Sequence, residues 1–398
     1  MTTSVQQVSP PEQPVADRFD YHSPLFQSDP WQVYRALREA GPVHFSTAAN
    51  CYVVVGHEAV KAGLSHEAVV ADFPLRTSRR TFGRNLLDLD GAAHRAFRKH
   101  IAPLLGARAV RSYLPTAIVP LVAETVAALE PGAATPVVER ISAVVPYRLM
   151  CGLMGLPQAD ARWLYEQMRP IARTLDYPPD TSADVRRAKD VVEAYLRGLV
   201  SQGAIGRDTM TGGILAAMQD SADPFEIADV LATLLLVLLA GTETSIAAIT
   251  NIVHGLAAQP GALEQCRTKD DAVRVIREIL RLRPPVHSVL RFAQRDFSLA
   301  GTDIQRRYPI LFSLASANRD AAVFRRPDTF DPDRGERGAL SFATGPHACP
   351  GTNLAEAEFA ETCVRLAERF SALTVVPGSD TEHGHSFRHA PDLSVIFS

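Results

Sequence analysis

The sequence predicts a mainly helical protein with a small β portion. Apolar residues recur at helical spacing over most of 91–200 and again over 223–254. Short β-like runs, broken by turn residues, lie before and after these helical segments. No internal repeat and no linker-like composition interrupts the middle of the chain. We therefore expect a loose tail at 1–20 and a single domain at 21–398.

Composition excludes several classes of protein. Lys and Arg number 41 against 44 Asp and Glu, and this net charge of −3 gives no electrostatic basis for binding nucleic acid. The start of the chain has neither a basic nor an apolar segment, so we expect no signal peptide. Five scattered cysteines do not suit a disulfide framework, which favours a reduced, cytoplasmic setting. The longest apolar run, 230–241, is too short to span a bilayer and predicts a buried core helix.

The elements of the first ninety residues follow from local signals. Asp29 is a good N-cap and a proline suits the position after it, so a helix is expected over 30–40. Two β-like runs follow at 43–46 and 51–55. Residues 66–90 show no clean period, and they are predicted to form a long irregular loop.

The later elements are predicted from the same kinds of signal. Prolines separate several helices before residue 200, and the longest helix of the chain is expected over 223–254. A helix at 271–283 stops at two prolines, and short strands with turns follow over 286–316. The last helix is predicted at 352–370, and strands and turns occupy the residues after it.

A loop of small, turn-forming residues at 342–351 surrounds one cysteine just before the last helix. The N-terminal end of a helix carries a partial positive charge, which favours a thiolate at Cys349. On this feature alone, a small buried hydrophobic residue is the favoured interpretation of Cys349. A zinc site formed with His347 is less favoured, because no second pair of ligands lies at a suitable spacing.

The spacing Phe342-x-x-Gly345-x-x-x-Cys349-x-Gly351 resembles the haem-ligand loop of the cytochrome P-450 superfamily, soluble bacterial type. The resemblance covers the chain from about residue 30 to its end. It implies the single-domain P-450 fold, a triangular prism of helices enclosing haem b. It also implies that Cys349 is the ligand of the haem iron, with the other three motif residues around the haem. Ala343 departs from the pattern, because glycine is commoner there.

Ala240-Gly241-Thr242-Glu243-Thr244, on the predicted longest helix, resembles the family motif on the O2 side of the haem. The resemblance implies that Thr244 is an alcohol and Glu243 an acid in a proton relay. Ala240 and Gly241 would lie against the haem. The alternative is a threonine whose hydroxyl bonds to the carbonyl of Ala240 and bends the helix. Together with the cysteine loop, the relay is the favoured interpretation.

Two further sets of residues complete the resemblance. Glu278, Arg281 and Arg334 resemble the buried structural triad of the family, although an acid–base pair at this spacing is usually a solvated surface contact. A second set resembles the residues that hold the two haem propionates: His94, Arg98, Arg291 and His347. Each member of this second set, taken alone, would be interpreted as a surface charge.

The substrate is expected above the haem in a mainly apolar pocket. Helical spacing places four residues on one side of the longest helix: Leu236, Val237, Ala240 and Thr244. Strand alternation places His287 and Val289 on the same face as Arg291, which would make His287 the polar group of the pocket. The roof is expected from three residues of one segment: Val69, Val70 and Phe73. Such a pocket suits a medium-sized hydrophobic natural product, and plain core packing is the alternative for each residue.

The resemblance implies a monooxygenase that uses O2 to hydroxylate or epoxidise such a molecule in bacterial secondary metabolism, for example antibiotic biosynthesis. Electrons would come from NAD(P)H through a ferredoxin and ferredoxin reductase, with docking on a basic patch that includes Arg95, Lys99 and His100. A monomer that binds neither membrane nor nucleic acid is expected. The alternatives are a haem enzyme that couples C–C or C–N bonds or uses peroxide, and a non-catalytic haem sensor. The acid–alcohol pair favours O2 over peroxide.

Overall fold

The computed structural model describes residues 19–74, 76–175, 179–219 and 226–398. The helices are, in chain order, α1 (Pro24–Ser28), α2 (Pro30–Ala40), α3 (His57–Leu64), α4 (Thr77–Phe82), α5 (Gly91–Leu105), α6 (Ala107–Tyr113), α7 (Val119–Ala127), α8 (Val144–Met154), α9 (Ala161–Ala172), α10 (Ala183–Ser201), α11 (Met210–Gln219), α12 (Ile227–Ala258), α13 (Lys269–Leu282), α14 (Leu314–Ala317) and α15 (Thr352–Arg369). Most of the predicted tail lies outside the described residues. Phe19 is buried, so the packed chain begins before residue 21.

The strands are β1 (Val43–Ser46), β2 (Cys51–Val54), β3 (Val69–Val70), β4 (Ala134–Pro136), β5 (Ser288–Ala293), β6 (Phe297–Leu299), β7 (Thr302–Ile304), β8 (Pro309–Ser313), β9 (Leu373–Val375) and β10 (Ser394–Phe397). The largest sheet has the strand order β1-β2-β8-β5-β3. In it β2 and β8 run parallel, and the other neighbours run antiparallel. The smaller sheets are β4-β10-β9 and β6-β7. The prediction of a mainly helical fold with a small β portion is confirmed.

The local signals near the start of the chain predict its first elements correctly. The Asp29 carboxylate accepts hydrogen bonds from the N–H groups of Trp31 and Gln32 at 3.0 and 3.2 Å, and it thereby caps α2. Pro30 occupies the first helical position. Strand β1 has its predicted bounds, and β2 ends at Val54, one position before its predicted end.

The segment 66–90 is more ordered than the sequence predicts, because it contains β3, α4 and a short 3-10 turn. A buried cluster of polar side chains around Asp88 stabilises this segment, whereas most segments are stabilised by a stripe of apolar side chains. The fully buried carboxylate of Asp88 accepts hydrogen bonds from the Ser78 hydroxyl at 2.7 Å and the Asn85 amide at 3.0 Å. It also forms an ion pair with Arg76 at 2.7 Å. Residues at such irregular spacing give no periodic signal, so the order could not be predicted.

Helix α12 lies at the centre of the largest hydrophobic core. The predicted start at Asp223 lies outside the described residues, and the helix runs to Ala258 where 254 was predicted. Its 32 residues are long and apolar enough to cross a membrane. The length of the run 230–241 is therefore not a reason to exclude a membrane span, because the helix that contains it is much longer. However, 72% of its most apolar window is buried inside the protein. Burial against α8, α9, α10, α13 and α15 therefore identifies α12 as a core helix.

The elements of the C-terminal half lie close to their predicted bounds. Helix α13 begins at Lys269, two residues earlier than predicted, because the Thr268 hydroxyl accepts a hydrogen bond from the N–H of Asp271 at 3.2 Å. Helix α15 ends at Arg369, one residue before its predicted end. The predicted strands of 286–316 are β5 to β8, and they lead into the short helix α14, which was not predicted.

Candidate active site

A cavity of about 360 Å³ lies between α12 and the loop that precedes α15. Its walls come from α5, α12, β5, the turn after α9 and the segment between β3 and α5. Apolar side chains form the wall along α12 and β5, and basic side chains gather at one rim. The Cys349 side chain opens into the cavity from the loop.

The loop around Cys349 is fixed by its backbone. The N–H of Cys349 donates to the carbonyl of Phe342 at 2.9 Å. Gly345 has a φ of +74°, and a Cβ there would lie 2.7 Å from the carbonyl oxygen of Leu64. Only glycine fits this position without a backbone shift. Ala343 has a φ of 56°, which costs an L-residue about 1 kcal/mol and explains why glycine is commoner there.

The pKa of the Cys349 thiol is raised, whereas a position at a helix N-terminus is expected to lower it. The thiol is accessible from the cavity, and protein surrounds it elsewhere. Burial raises the pKa of the Cys349 thiol, although the Gly351 N–H, the Thr352 hydroxyl and the charge of Arg98 act to lower this pKa. The free cysteine is therefore a thiol, and it would lose its proton to solvent when its sulfur binds a metal centre. A Cβ at Gly351 would lie 3.7 Å from Sγ, an ordinary contact distance.

The four residues predicted to hold propionates come together at one rim of the cavity. His94 and Arg98 lie one turn apart on α5. The rings of His94 and His347 have centroids 4.2 Å apart. Arg98 donates to the carbonyl of Pro346 at 3.2 Å, so it is tied to the cysteine loop. Arg291 reaches the same rim from β5, and burial lowers its pKa to about 9.

This rim has more buried basic groups than it has anions. His94 is buried, and its Nε2 has no hydrogen-bond partner among the described residues. Burial, followed by the charges of His347 and Arg98, lowers the pKa of His94 to about 4. Buried donors and cations of this kind are normally paired. Carboxylates of a bound molecule would supply the missing partners.

Sequence reasoning missed two residues of this rim. Asp90 accepts from His347 Nε2 at 3.0 Å, and its other oxygen accepts from the N–H groups of Ala71 and Asp72 at 2.6 and 2.7 Å. Arg76 also lines the cavity, and its charge adds to the effect of burial in lowering the pKa values of Arg291 and His347. Asp90 occupies an N-cap position, and its partners are 19 and 257 residues away, so no spacing rule identifies its role.

The acid and the alcohol predicted on α12 both line the cavity. The Thr244 hydroxyl donates to the carbonyl of Ala240 at 2.7 Å, which is the bond of the structural alternative. The Glu243 carboxylate accepts a hydrogen bond from the Tyr147 hydroxyl at 2.5 Å. Burial raises the pKa of Glu243 to about 7, although Tyr147 and Arg169 act to lower it. At neutral pH this acid is therefore present in both protonation states.

Ala240 and Gly241 line the cavity, and Gly241 also contacts a neighbouring helix closely. A Cβ at Gly241 would lie 2.9 Å from the Met150 sulfur on α8. The lack of a side chain at Gly241 therefore lets α8 pack closely against α12. The sequence motif alone gave no sign of this helix contact.

Glu278, Arg281 and Arg334 form one buried cluster. Arg281 binds both carboxylate oxygens of Glu278, at 2.8 and 2.9 Å, and Arg334 binds one of them at 2.9 Å. Arg281 also donates to three backbone carbonyls of the stretch before the cysteine loop: those of Asn318, Pro327 and Thr329. This bonding positions the chain that leads into the loop.

The structure divides the predicted substrate residues into two groups. Five of them line the cavity: Leu236, Val237, Ala240, Thr244 and Val289. The three predicted roof residues do not line it. Val69 and Val70 pair with Ala293 and Phe292 as β3, and the ring of Phe73 stacks on Phe292 at 4.2 Å. Further along the same segment, Leu86 and Leu87 of the short 3-10 turn do line the cavity.

The prediction that His287 is the polar group of the pocket is wrong. His287 does not line the cavity, and its ring packs 5.1 Å from that of Trp31 and within 3.5 Å of the Tyr34 hydroxyl. Strand β5 begins at Ser288, so His287 lies outside the strand and the alternation of side chains along β5 does not apply to it. Inside the strand Val289 and Arg291 line the cavity, but Ser288 and Leu290 line it too, so alternation does not decide which residues of β5 reach it.

Haem fits this cavity on three grounds. The accessible sulfur of Cys349 is a suitable iron ligand. The Nε2 of His94, which lacks a partner within the described part of the chain, and its basic neighbours suit two propionates. Small residues on the cavity side of α12, Ala240 and Gly241, leave room for a flat ring. The fold and the site together define a haem-thiolate protein.

The chain belongs to the cytochrome P450 family, whose model matches residues 186–391. It is 30% identical to pentalenic acid synthase of Streptomyces avermitilis, over 88% of this chain and 90% of that protein. It is 28% identical to 6-deoxyerythronolide B hydroxylase of Saccharopolyspora erythraea, over 89% of this chain and 92% of that protein. The ligand-free structure of CYP164A2 from Mycobacterium smegmatis superposes with a TM-score of 0.84 at 27% identity, covering 94% of this chain and 97% of that chain.

The protein is therefore a cytochrome P450 monooxygenase of the kind found in bacterial secondary metabolism. As in the rest of its family, it uses haem iron and O2, with electrons supplied from NAD(P)H through redox partners. The predictions of family, fold, enzyme class and cofactor are confirmed.

Proposed function

We propose that the protein hydroxylates or epoxidises a medium-sized hydrophobic natural product. The observation that carries this proposal is the half-buried acid–alcohol pair Glu243 and Thr244, which faces the same cavity as Cys349 beside an apolar wall. A haem sensor has no use for such a pair, whereas the reduction of O2 consumes two protons at a buried site. One relative is a hydroxylase of 6-deoxyerythronolide B by name, which is consistent with a substrate of this kind.

The residues of the cavity have separate tasks in this proposal. Cys349 would hold the haem iron, and His94, Arg98, Arg291 and His347 would hold the propionates. Haem bound in this way supplies the iron at which O2 is activated. The apolar side chains of α12 and β5 bind the substrate by removing its surface from water, at about 25 cal/mol per Å².

Proton delivery is the task of α12 in this proposal. Glu243 can give up and regain a proton near neutral pH because burial raises its pKa to about 7. Thr244 lies next to it in the chain and faces the cavity. Its hydroxyl would accept a proton from the Glu243 side and donate its own into the cavity. Water from bulk solvent then restores the proton of Glu243.

Thr244→Ala is expected to release roughly tenfold more peroxide per NAD(P)H consumed, because protons no longer reach the distal side in time. The measurement uses a surrogate ferredoxin and ferredoxin reductase, with peroxide and nicotinamide oxidation followed together. The matched control is Thr233→Ala on the same helix, where the hydroxyl also bonds to the carbonyl four residues earlier, at 2.7 Å, but outside the cavity wall. Unchanged peroxide release in Thr244→Ala would contradict the relay.

Labelled O2 tests the reaction class. A binding screen of hydrophobic natural-product scaffolds, followed as a shift of the haem absorption band, first supplies a substrate. A product that gains one labelled oxygen atom supports hydroxylation or epoxidation. A product that loses hydrogen and gains no label indicates oxidative coupling, and it overturns the proposed oxygen insertion.

We further propose that the chain acts as one haem-binding domain of a cytoplasmic monomer, and that this domain includes the buried Phe19 in addition to the expected 21–398. Its electrons would come from a ferredoxin and ferredoxin reductase. The basic patch of Arg95, Lys99 and His100 lies on α5, with Arg95 and Lys99 exposed. These charges favour an acidic docking surface on the partner.

A further inference from the structure

The acid and the alcohol of the proposed relay are not bonded to each other. Thr244 donates to the carbonyl of Ala240 at 2.7 Å, while Glu243 accepts from Tyr147 at 2.5 Å. Tyr147 is 1% exposed and lies on α8, away from every motif that the sequence analysis used. Burial and the charge of Glu243 raise the pKa of Tyr147 well above its usual value, so its hydroxyl remains a donor. The resting pose of Glu243 is therefore set by Tyr147.

The close packing of α8 on α12 restricts the position of Tyr147. Gly241 leaves space for Met150, whose sulfur would otherwise meet a Cβ at 2.9 Å. Met150 lies three residues after Tyr147, so both side chains project from the same face of α8. Near the start of α8, the hydroxyl of Thr250 donates to that of Ser142 at 2.9 Å. Contacts on both sides of Tyr147 thus fix the register of the two helices.

Few other titratable groups influence Glu243. Behind Tyr147 lies Tyr165 on α9, with ring centroids 5.5 Å apart. The guanidinium of the exposed Arg169 stacks on Tyr165 at 5.5 Å, and its charge acts to lower the pKa of Glu243. Among the described residues, Tyr147 and Arg169 account for the side-chain influences on that pKa. The charge of Glu139, just before α8, acts to raise the pKa of Tyr165 and is not among the influences on the pKa of Glu243.

We propose that Tyr147 is a positioning residue for proton delivery, whose hydroxyl holds the Glu243 carboxyl away from Thr244 between proton transfers and releases it for each one. The inference rests on the proposed function, in which Glu243 is the acid of the relay. For a transfer, the protonated carboxyl leaves Tyr147 and turns to the Thr244 hydroxyl. That hydroxyl takes the proton and passes its own onward. The carboxylate then returns to Tyr147, and water replaces its proton.

The proposal predicts a shift in the titration of Glu243. The Tyr147 hydroxyl donates to the carboxylate and so favours its ionised form. Tyr147→Phe removes that donor and keeps the ring, so the pH at which Glu243 is half protonated is expected to rise by about one unit. The infrared carboxyl band of the haem-loaded enzyme measures this midpoint. Loss of the band in Glu243→Gln assigns it to Glu243.

Two variants make the comparison specific. Tyr165→Phe removes a hydroxyl from the next ring outward, and it is expected to leave the midpoint unchanged. Gly241→Ala pushes Met150 and α8 away from Glu243, and it is expected to raise the midpoint in the same direction as Tyr147→Phe. Because two different variants are expected to raise the midpoint, the test remains available if one of them folds poorly. The carbon-monoxide spectrum and the melting temperature show whether each variant is folded.

The pH profile of peroxide release, measured with a surrogate ferredoxin and reductase, is the second readout. Tyr147→Phe is expected to move this profile upward with the infrared midpoint, and to have no further effect in a Glu243→Gln background. An unchanged infrared midpoint in Tyr147→Phe overturns the role of Tyr147. Unchanged peroxide release in Glu243→Gln overturns the proposed relay itself, which is a separate outcome.

Discussion

Cys349→Ser is expected to lose completely the red-shifted absorption band that thiolate-ligated ferrous haem gives with carbon monoxide. A serine hydroxyl does not ionise near neutral pH, and it donates less electron density to iron than sulfur does. The spectrum of the reduced protein in the presence of carbon monoxide measures the change directly. Haem content, determined on the same sample, distinguishes a changed ligand from lost cofactor.

Another cysteine provides the control for this prediction. Cys51 is buried in β2, away from the cavity, so Cys51→Ala is expected to keep the band. A persistent red-shifted band in Cys349→Ser would show that a different residue ligates the iron.

Arg281→Ala is expected to destabilise the protein by about 3–5 kcal/mol, because it leaves the buried carboxylate of Glu278 with an incomplete set of partners. The side chain of Arg281 is 1% exposed, and its loss also frees three backbone carbonyls that lead toward the cysteine loop. We expect the ratio of haem to protein to fall sharply and the unfolding midpoint in urea to decrease. Both quantities are measured on protein purified under identical conditions.

The same helix offers a matched control. Arg277 forms two hydrogen bonds with Glu356, at 2.7 and 3.0 Å, but its side chain is 63% exposed. Exposed pairs contribute about 0–1 kcal/mol, so Arg277→Ala is expected to keep its haem and nearly all its stability. Equal losses in the two variants would contradict a specific structural role for the cluster around Glu278.

The sequence was most informative where function requires fixed spacing along the chain. The positions of Cys349, Glu243 and Thr244 follow from short motifs, and the structure places all three at one cavity. Helices with strong caps, such as α2 and α13, were also predicted nearly to their ends. In each case neighbouring residues carry the signal.

The parts that were missed depend on contacts between distant segments. Tyr147 reaches Glu243 across 96 positions, and Asp90 reaches His347 across 257, so neither pairing leaves a periodic trace. His287 was misplaced because β5 begins only at Ser288, so the alternation of the strand does not extend to His287. The position of Glu243 at the cavity could thus be predicted, but its hydrogen bond to Tyr147 could not.

The bonds of Asp90 have a consequence for engineering the range of molecules that the enzyme accepts. One carboxylate ties the backbone at Ala71 and Asp72 to His347, so a change of loop geometry at 71–72 would be transmitted to the cofactor edge. Leu86 and Leu87 line the same cavity, and their apolar side chains form no hydrogen bonds that a substitution would break. A library that seeks new selectivity without loss of cofactor should therefore vary Leu86 and Leu87 and keep the anchored residues constant.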